Sequence, residues 1–449
     1  MAGRGLRLRL GAHFRARLRA RLRVRIARRF AAASKPLVFV CLAVAATQAA
    51  WGVVVPVLPL YAAEFGANAT QLGLVIALFG VGRLVVNIPA GMLCERVSPG
   101  RLLVWSVVAV VLLQVATAFA PTLGVLLGLR LAGGLAGGMA ITSGMTLVIH
   151  LTRLADRGAA MSLLQGFQLI GGALGPALGG LVATLWGHRA PFLACGVMAA
   201  LVLVFGWRTL LRTPLLVRHG VPAGVDATTS TEADADATDA AAPDSRSAVR
   251  RLLTDRSYLA ICGVGFSIFL NRFAGTQSLV PIIAYTVVGI GVGHFGALLG
   301  VVTFTNLIMV TIAGRLSDRI GRKRVIVPGL AIVGLALPAY TLTSEAWWFA
   351  AVVLVTGMAL GFSGPTPAAY LADVAPADGR GTAVGIYRTA GDLAAVVGPI
   401  GLGWIVDNVG YRSAVLVLAA VTLLAVGLFA AIARETVTRT PLPSATMRS

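Results

Sequence analysis

"GRLSDRIGRKR", Gly314–Arg324, gathers Arg315, Asp318, Arg319, Arg322, Lys323 and Arg324 within a chain that is 57% hydrophobic and 12% charged. A second stretch, "GMLCERVSPGR", Gly91–Arg101, stands 223 positions earlier, and the register holds beyond the two loops. Gly91 falls on Gly314, Glu95 on Asp318, Arg96 on Arg319 and Arg101 on Arg324. Further along, Gly134 falls on Gly357, Gly138 on Gly361, Arg157-Gly158 on Arg380-Gly381, Gly175-Pro176 on Gly398-Pro399, and Gly187 and Arg189 on Gly410 and Arg412. So many glycine, proline and arginine matches in one ungapped register mark two copies of one structural unit.

The rest of the chain says what that unit is. Its 449 residues have a mean hydropathy of +0.86 and include 53 glycines. Apolar runs of about 20 residues recur, each long enough to cross a bilayer as a helix. The glycines lie inside those runs, where small residues let helices approach closely. Twelve spans are expected, at about 37–62, 70–93, 102–120, 122–149, 158–185, 190–211, 257–285, 294–314, 325–343, 346–372, 382–406 and 412–433. The expected fold is an all-α integral membrane protein: twelve transmembrane helices arranged as two six-helix bundles. Six is even, so both copies enter the membrane from the same side and form parallel repeats, with a substrate site between them near mid-bilayer.

The domain plan follows. A basic arm at 1–36 precedes a six-helix bundle at 37–211. A linker at 212–256 leads to a second bundle at 257–433 and a tail at 434–449. Within the linker, 222–245 is rich in Asp, Ala, Thr and Pro, a composition that does not bury enough to order itself. Of the 38 Lys and Arg, 32 fall on one side of the spans and only Arg189 and Arg412 on the other. That bias puts both termini in the cytoplasm of a plasma-membrane protein. It also reads the net charge of +21 as topology rather than as a nucleic-acid surface. The arm, with its alternating Arg and Leu, has four open readings: a lipid-held disordered arm, a start codon assigned too far upstream, an organelle-targeting peptide, or extra retention of the N-terminus inside. Cys41, Cys94, Cys195 and Cys262 have no metal or disulfide spacing, and no nucleotide loop or nucleophile constellation is present. No enzyme activity, cofactor or metal is expected.

At the two charged loops the chain resembles the Major Facilitator Superfamily, over nearly its whole length beyond the arm. "GRLSDRIGRK" matches that family's signature between helices 8 and 9. Its counterpart carries Glu95 for the usual Asp and Ser98 where a second Gly is expected. "RLAGGLAGG", from Arg130, resembles the fourth-helix motif. "GGALGPALGG", Gly171–Gly180, resembles the fifth-helix motif of the drug–proton antiporter branch. The resemblance implies a conformational lock built from Gly91, Glu95, Arg96, Gly314, Asp318, Arg319, Gly321 and Arg322. In it Glu95 docks at the start of helix 11, near Gly381–Thr382, and Asp318 at the start of helix 5, near Gly158–Ala159. The alternative on local chemistry is that both acids pair only with neighbouring arginines. Gly171, Gly175, Pro176, Gly179 and Gly180 make helix 5 bendable and poor in side chains, suited to close packing against the opposing half.

Ionisable residues inside spans are functional candidates. They are Arg83, Arg130, Arg272, Arg388 and Asp392. Asp392 and Arg388 share a face of helix 11, and the resemblance implies that Arg83 on helix 2 reaches across to Asp392. The acid then stays charged while paired and takes a proton when the halves separate. Arg130 is tied to proton movement by the same resemblance. Against that coupling role stands a static ion cluster. Gln48, Trp51, Asn271, Arg272, Gln277, Ser363 and Thr366 are the expected substrate-cavity groups, on helices 1, 7 and 10. Helix 1 lacks the acid common in cationic-drug antiporters and offers Thr47 and Gln48 instead. The expectation is a monomeric, proton-coupled exporter of small amphipathic molecules. An uptake symporter for an organic acid or other metabolite, and a transporter-like receptor without turnover, are the alternatives.

Overall fold

The computed structural model describes residues 35–152, 156–211, 252, 254–342, 345–364, 366–375 and 380–436. The expectations for the basic arm, for nearly all of the linker and for the end of the tail fall outside them. Twelve long helices carry the described residues. The first half holds α1 (Lys35–Val54), α2 (Ala69–Arg96), α3 (Pro99–Ala118), α4 (Leu123–Leu151), α5 (Arg157–Trp186) and α6 (Ala190–Leu211). The second holds α7 (Arg256–Val288), α8 (Val292–Ile320), α9 (Lys323–Thr341), α10 (Ala346–Val374), α11 (Arg380–Val409) and α12 (Tyr411–Ile432). Eleven are long and apolar enough to cross a bilayer, and α6 adds the apolar stretch Ala190–Gly206. In hydrocarbon every backbone N–H and C=O needs an internal partner, which is why such sequence folds as helix.

Local chemistry sets the helix ends. Asn68 and Gln71 form a reciprocal capping box at the start of α2, the Asn68 side chain accepting from the Gln71 N–H at 2.8 Å. Ser98, Thr122 and Asp255 cap α3, α4 and α7. The turns between α5 and α6 and between α11 and α12 use Gly187 (φ 82°) and Gly410 (φ 97°), partners in the 223-residue register. That backbone conformation is strained for any residue with a Cβ.

Three spans are less regular than their sequence suggests. The first is not one helix over 37–62. α1 ends at Val54, and a separate short helix runs Leu58–Ala63 beyond Pro56. α10 breaks between Ser363 and Thr366. α7 opens into wide-turn π-helix over Asn271–Leu279 and again over Ile283–Val288, with Pro281, which has no N–H, between the two segments.

Packing repeats with the sequence. In the first half Gly134 of α4 lies against the Phe79 carbonyl of α2, and Gly138 against Val86 and the Arg83 backbone. In the second half their counterparts Gly357 and Gly361 of α10 lie against Val302 and Asn306 of α8. Each half has its own apolar core, around Val40, Leu103 and Leu164 in the first and around Phe295, Phe349 and Leu418 in the second. A further cluster is shared: Tyr61, Leu72 and Ile76 pack together with Phe273 and Ala395.

Candidate functional site

The two halves meet along two seams, α2 with α11 and α5 with α8, and glycine decides where they touch. A Cβ at Gly73 of α2 would overlap the Pro399 carbonyl of α11, and one at Gly403 would overlap the Ala69 carbonyl. In the other seam a Cβ at Gly180 of α5 would lie 2.7 Å from the Gly296 Cα of α8, and one at Gly296 would lie 2.7 Å from the Pro176 carbonyl oxygen. Gly73 and Gly296 are register partners, as are Gly180 and Gly403, and Pro176 and Pro399. The repeat therefore extends to the interface itself, where backbone meets backbone with no side chain between.

All of these contacts lie at one end of the helices. The end that carries the charged loops is different. A Cβ at Gly91, Gly314 or Gly385 would meet no atom of the described residues within 4 Å. Glu95 is exposed, with no partner among the described residues. Asp318 accepts from Arg322 at 2.6 Å, the neighbouring-arginine pairing. Arg322 also reaches Asp373 at 3.3 Å, and its backbone N–H donates to Glu435 at 2.7 Å, so this loop is fastened within its own half. Gly321, with φ 111°, makes the turn beside Glu435, while Arg96 and Arg319 are exposed. The surroundings of Gly158–Ala159 and Gly381–Thr382, where the two acids are expected to dock, lie outside the described side chains.

The fifth-helix glycines divide their work, which corrects the expectation that they face the opposing half together. Gly171, Gly175 and Gly179 pack against Ala45, Gly52 and Val53 of α1 in the same half. Gly180, with the Pro176 carbonyl, reaches the other half. Glycines at i, i+4 and i+8 share one face, and Gly180 lies about 100° round from Gly179.

One cross-half contact escaped the sequence reading. Asp407, in the last turn of α11, caps the start of α2. Its Oδ1 accepts from the Ala69 N–H at 3.0 Å, and its Oδ2 from the Thr70 N–H at 2.8 Å and from the Thr70 hydroxyl. A signal was available: an acid in the last turn of a helix opposes that helix's own dipole and so calls for a partner elsewhere. The Tyr285 hydroxyl donates to the Pro56 carbonyl and ties the halves at the same end.

Between the seams lie the buried charges. Arg83, midway along α2, and Asp392, midway along α11, are half-buried, within electrostatic range of each other and of Arg388. No ion pair within 4 Å joins them among the described residues. Arg130 is 8% exposed. It stacks on Phe79 with its guanidinium carbon 4.7 Å from the ring centroid, and donates through Nε to the Val75 carbonyl at 3.4 Å. It lines a cavity with Thr47, Trp51, Phe79 and Gln114. Arg272 of α7 reaches across to the other half and sits 5.7 Å over Trp51, whose ring also meets Phe273.

The expected cavity groups separate into two sets. Asn271 donates to the Ser267 carbonyl and to Thr422 of α12, inside its own half. Ser363 bonds back to Ala359 of its own helix, under Gly329. Gln48 is half-buried with no bond among the described residues. The Gln277 amide nitrogen and the Thr366 hydroxyl are buried without partners among the described residues. Of the seven, Trp51 and Arg272 meet across the gap.

The family model of the Major Facilitator Superfamily matches residues 40–291 and again 261–448. The chain belongs to the Major Facilitator Superfamily. Multidrug resistance protein MdtG of Serratia proteamaculans (strain 568) is 31% identical over 199 residues, 42% of this chain and 48% of that one. The protein of the same name in Escherichia coli O9:H4 (strain HS) is 29% identical over 173 residues, 37% of this chain and 42% of that one. The chain thus spans about half the length of the curated relatives it matches. Among solved structures, a bacterial homologue of the human lysosomal transporter Spinster, inward-facing and unoccupied, superposes with a TM-score of 0.72 at 15% identity, over 89% of this chain and 98% of that one. The inward-facing, occupied form gives 0.70 at 15% identity, over 88% and 97%. At that identity the likeness is one of fold. This Major Facilitator Superfamily protein is a multi-pass membrane protein.

Proposed function

We propose that this transporter exports small amphipathic molecules in exchange for protons, by alternating access. One observation carries the reading: both seams are in backbone contact at one end, whereas at the loop end a Cβ at Gly91, Gly314 or Gly385 would meet no described atom within 4 Å. Two copies whose backbones meet at one end are poised to rock about that contact. The Lys and Arg bias supports placing the charged loops and both termini in the cytoplasm of the plasma membrane, which makes the described state inward-facing. The boundaries proposed are arm 1–36, bundle 37–211, linker 212–256, bundle 257–433 and tail 434–449. A single chain contains both seams, so a monomer suffices. In the opposite state Gly91 and Gly314 let the loop end close, and Glu95 and Asp318, steadied by Arg96, Arg319 and Arg322, dock on helices 11 and 5. Asp392, with Arg83 and Arg388, couples this motion to protons, with Arg130 a further candidate. The relatives' name, multidrug resistance protein, supports export.

An organic-acid symporter is the second reading, favoured by the missing acid on α1 and the excess of mid-span arginine. Proteoliposomes with an imposed pH gradient and a fluorescent amphipath separate the readings. Export by antiport concentrates the probe in an acidic lumen, and symport in an alkaline one. A receptor without turnover gives flux in neither.

Within this mechanism Asp407 latches the closed end. Two backbone bonds to a helix start contribute about 1 kcal/mol at an exposed site. Asp407→Ala is therefore expected to raise the open population of this end about fivefold. The four native cysteines are buried, so a single cysteine at Thr184, beside the seam, reports its opening by labelling rate. An unchanged rate removes Asp407 from the gate.

A further inference from the structure

We propose that the transported molecules are organic anions: amphipaths with one carboxylate, sulfonate or phosphonate head and a flat apolar body. The proposal rests on the transporter reading and names its substrate class. Arg272 lies midway along the 33-residue helix α7, yet it is exposed. Its guanidinium stands over Trp51 of the other half, so the space it opens onto is the gap between the halves and not lipid. It makes no hydrogen bond or ion pair with any described residue. Arg130 is more than nine-tenths buried, and of its five N–H donors one is engaged, by the Val75 carbonyl. Neither arginine has a carboxylate within 4 Å among the described residues. Trp51 joins the two: it walls the cavity that Arg130 lines, and Arg272 stands 5.7 Å over it.

A cation–π contact with an aromatic face uses none of a guanidinium's N–H donors as hydrogen bonds to other side chains. The N–H edge is a fork matched to a carboxylate, sulfonate or phosphonate. The charge tally points the same way. Mid-span there are four guanidiniums, Arg83, Arg130, Arg272 and Arg388, and one carboxylate, Asp392, which lies near Arg83 and Arg388. When the halves close and water leaves the gap, Arg272 and Arg130 need a counter-charge. An anionic substrate supplies it, and a cationic one adds to the repulsion. Trp51, Phe79, Phe269 and Phe273 supply apolar surface for the flat body. A membrane potential negative inside also drives an anion outward.

The test begins with binding, which needs no turnover. The purified full chain in detergent is titrated with 1-anilinonaphthalene-8-sulfonate, with its uncharged analogue N-phenyl-1-naphthylamine, and with tetraphenylphosphonium, and read by shift in melting temperature and by competition against the labelled sulfonate. The sulfonate is expected to stabilise the protein. The neutral analogue, on the same rings, is expected to bind at least about tenfold more weakly, and the cation not to compete. Arg272→Gln and Arg130→Gln are expected to weaken the sulfonate about tenfold or more, with little change for the neutral analogue. Arg272→Lys, which keeps the charge and loses the fork, is expected to melt like wild type without ligand and still to lose affinity. Binding of the cation in preference to the sulfonate, no binding by any of the three, or unchanged sulfonate affinity in Arg272→Lys and both Gln variants overturns the proposal. Sulfonate binding without flux in proteoliposomes leaves the site standing and sinks the transporter reading.

Discussion

Gly180→Val is expected to reduce transport by about a hundredfold or more while leaving the protein folded. A Cβ at this position would lie 2.7 Å from the Gly296 Cα and 2.8 Å from the Val292 carbonyl oxygen. Both are backbone, so neither swings aside as the end of a flexible side chain does. Overpacking against unyielding atoms costs about 3 kcal/mol, enough for a hundredfold loss of the contacting state. Helices α5 and α8 then have to separate, and the end sealed in this structure stays open. The cores within each half do not include this contact, so the detergent-purified variant is expected to elute and melt close to wild type. Paired cysteines at Ala177 and Gly300, adjacent across the same seam, are expected to lose cross-linking. The register adds a second arm. Gly73 meets the Pro399 carbonyl as Gly296 meets that of Pro176, so Gly73→Val is expected to reproduce the phenotype from the other seam. Gly172, with no described atom within 4 Å of an added Cβ, is the control, and Gly172→Ala is expected to transport normally. Wild-type flux in Gly180→Val and Gly73→Val would mean that closure of this end is not part of turnover.

The same residues show what sequence discloses. Twelve spans and their doubling are legible because hydrocarbon allows little but helix, and because glycine, proline and arginine recur in one register. Gly91 and Gly314 are visible as repeat partners. Their being uncrowded is not, since that depends on which end of the bundle is shut. Gly171, Gly175 and Gly179 read correctly as a packing face. Their partner, α1 rather than the opposing half, depends on a rotation of about 100° that no spacing specifies. Asn271 and Ser363 look like cavity groups because they are polar in apolar helices. The structure gives each a neighbour, Thr422 or the Ala359 carbonyl, that single-chain reading does not locate. The wide turns at Asn271–Leu279 shift side-chain phase along α7, so helical-wheel placement of Arg272 and Gln277 fails there. Asp407 was legible only in part: its place against its own helix dipole gives a reason to look, and the partner 338 residues away comes from the fold.

Asp392→Asn is expected to abolish concentrative, pH-driven transport while sparing exchange of substrate across the membrane without a gradient. Asp392 is the carboxylate placed midway along α11, half-buried, and its electrostatic neighbours are Arg388 on its own helix and Arg83 on α2 of the other half. Arg272 lies in turn within range of Arg83. A Cβ at Gly80 would lie 3.9 Å from Ala395, which shows how near α2 and α11 run at this level. When the two helices shift against each other, Asp392 gains or loses guanidinium charge from across the seam. Proton affinity and conformation are linked by that exchange, because an opposite charge nearby favours the ionised form and its withdrawal favours the protonated one. Asparagine keeps the shape and much of the hydrogen bonding but cannot titrate. Counterflow, which needs only rocking of loaded carriers, is therefore expected to stay within about threefold of wild type and to lose its dependence on pH. Accumulation against a gradient is expected to fall to the level of empty liposomes. A static ion cluster predicts the reverse pattern: Asp392→Asn would leave Arg83 and Arg388 unneutralised, lower the melting temperature and depress counterflow and accumulation together. Accumulation and counterflow measured on the same preparation therefore tell a coupling carboxylate from a structural one.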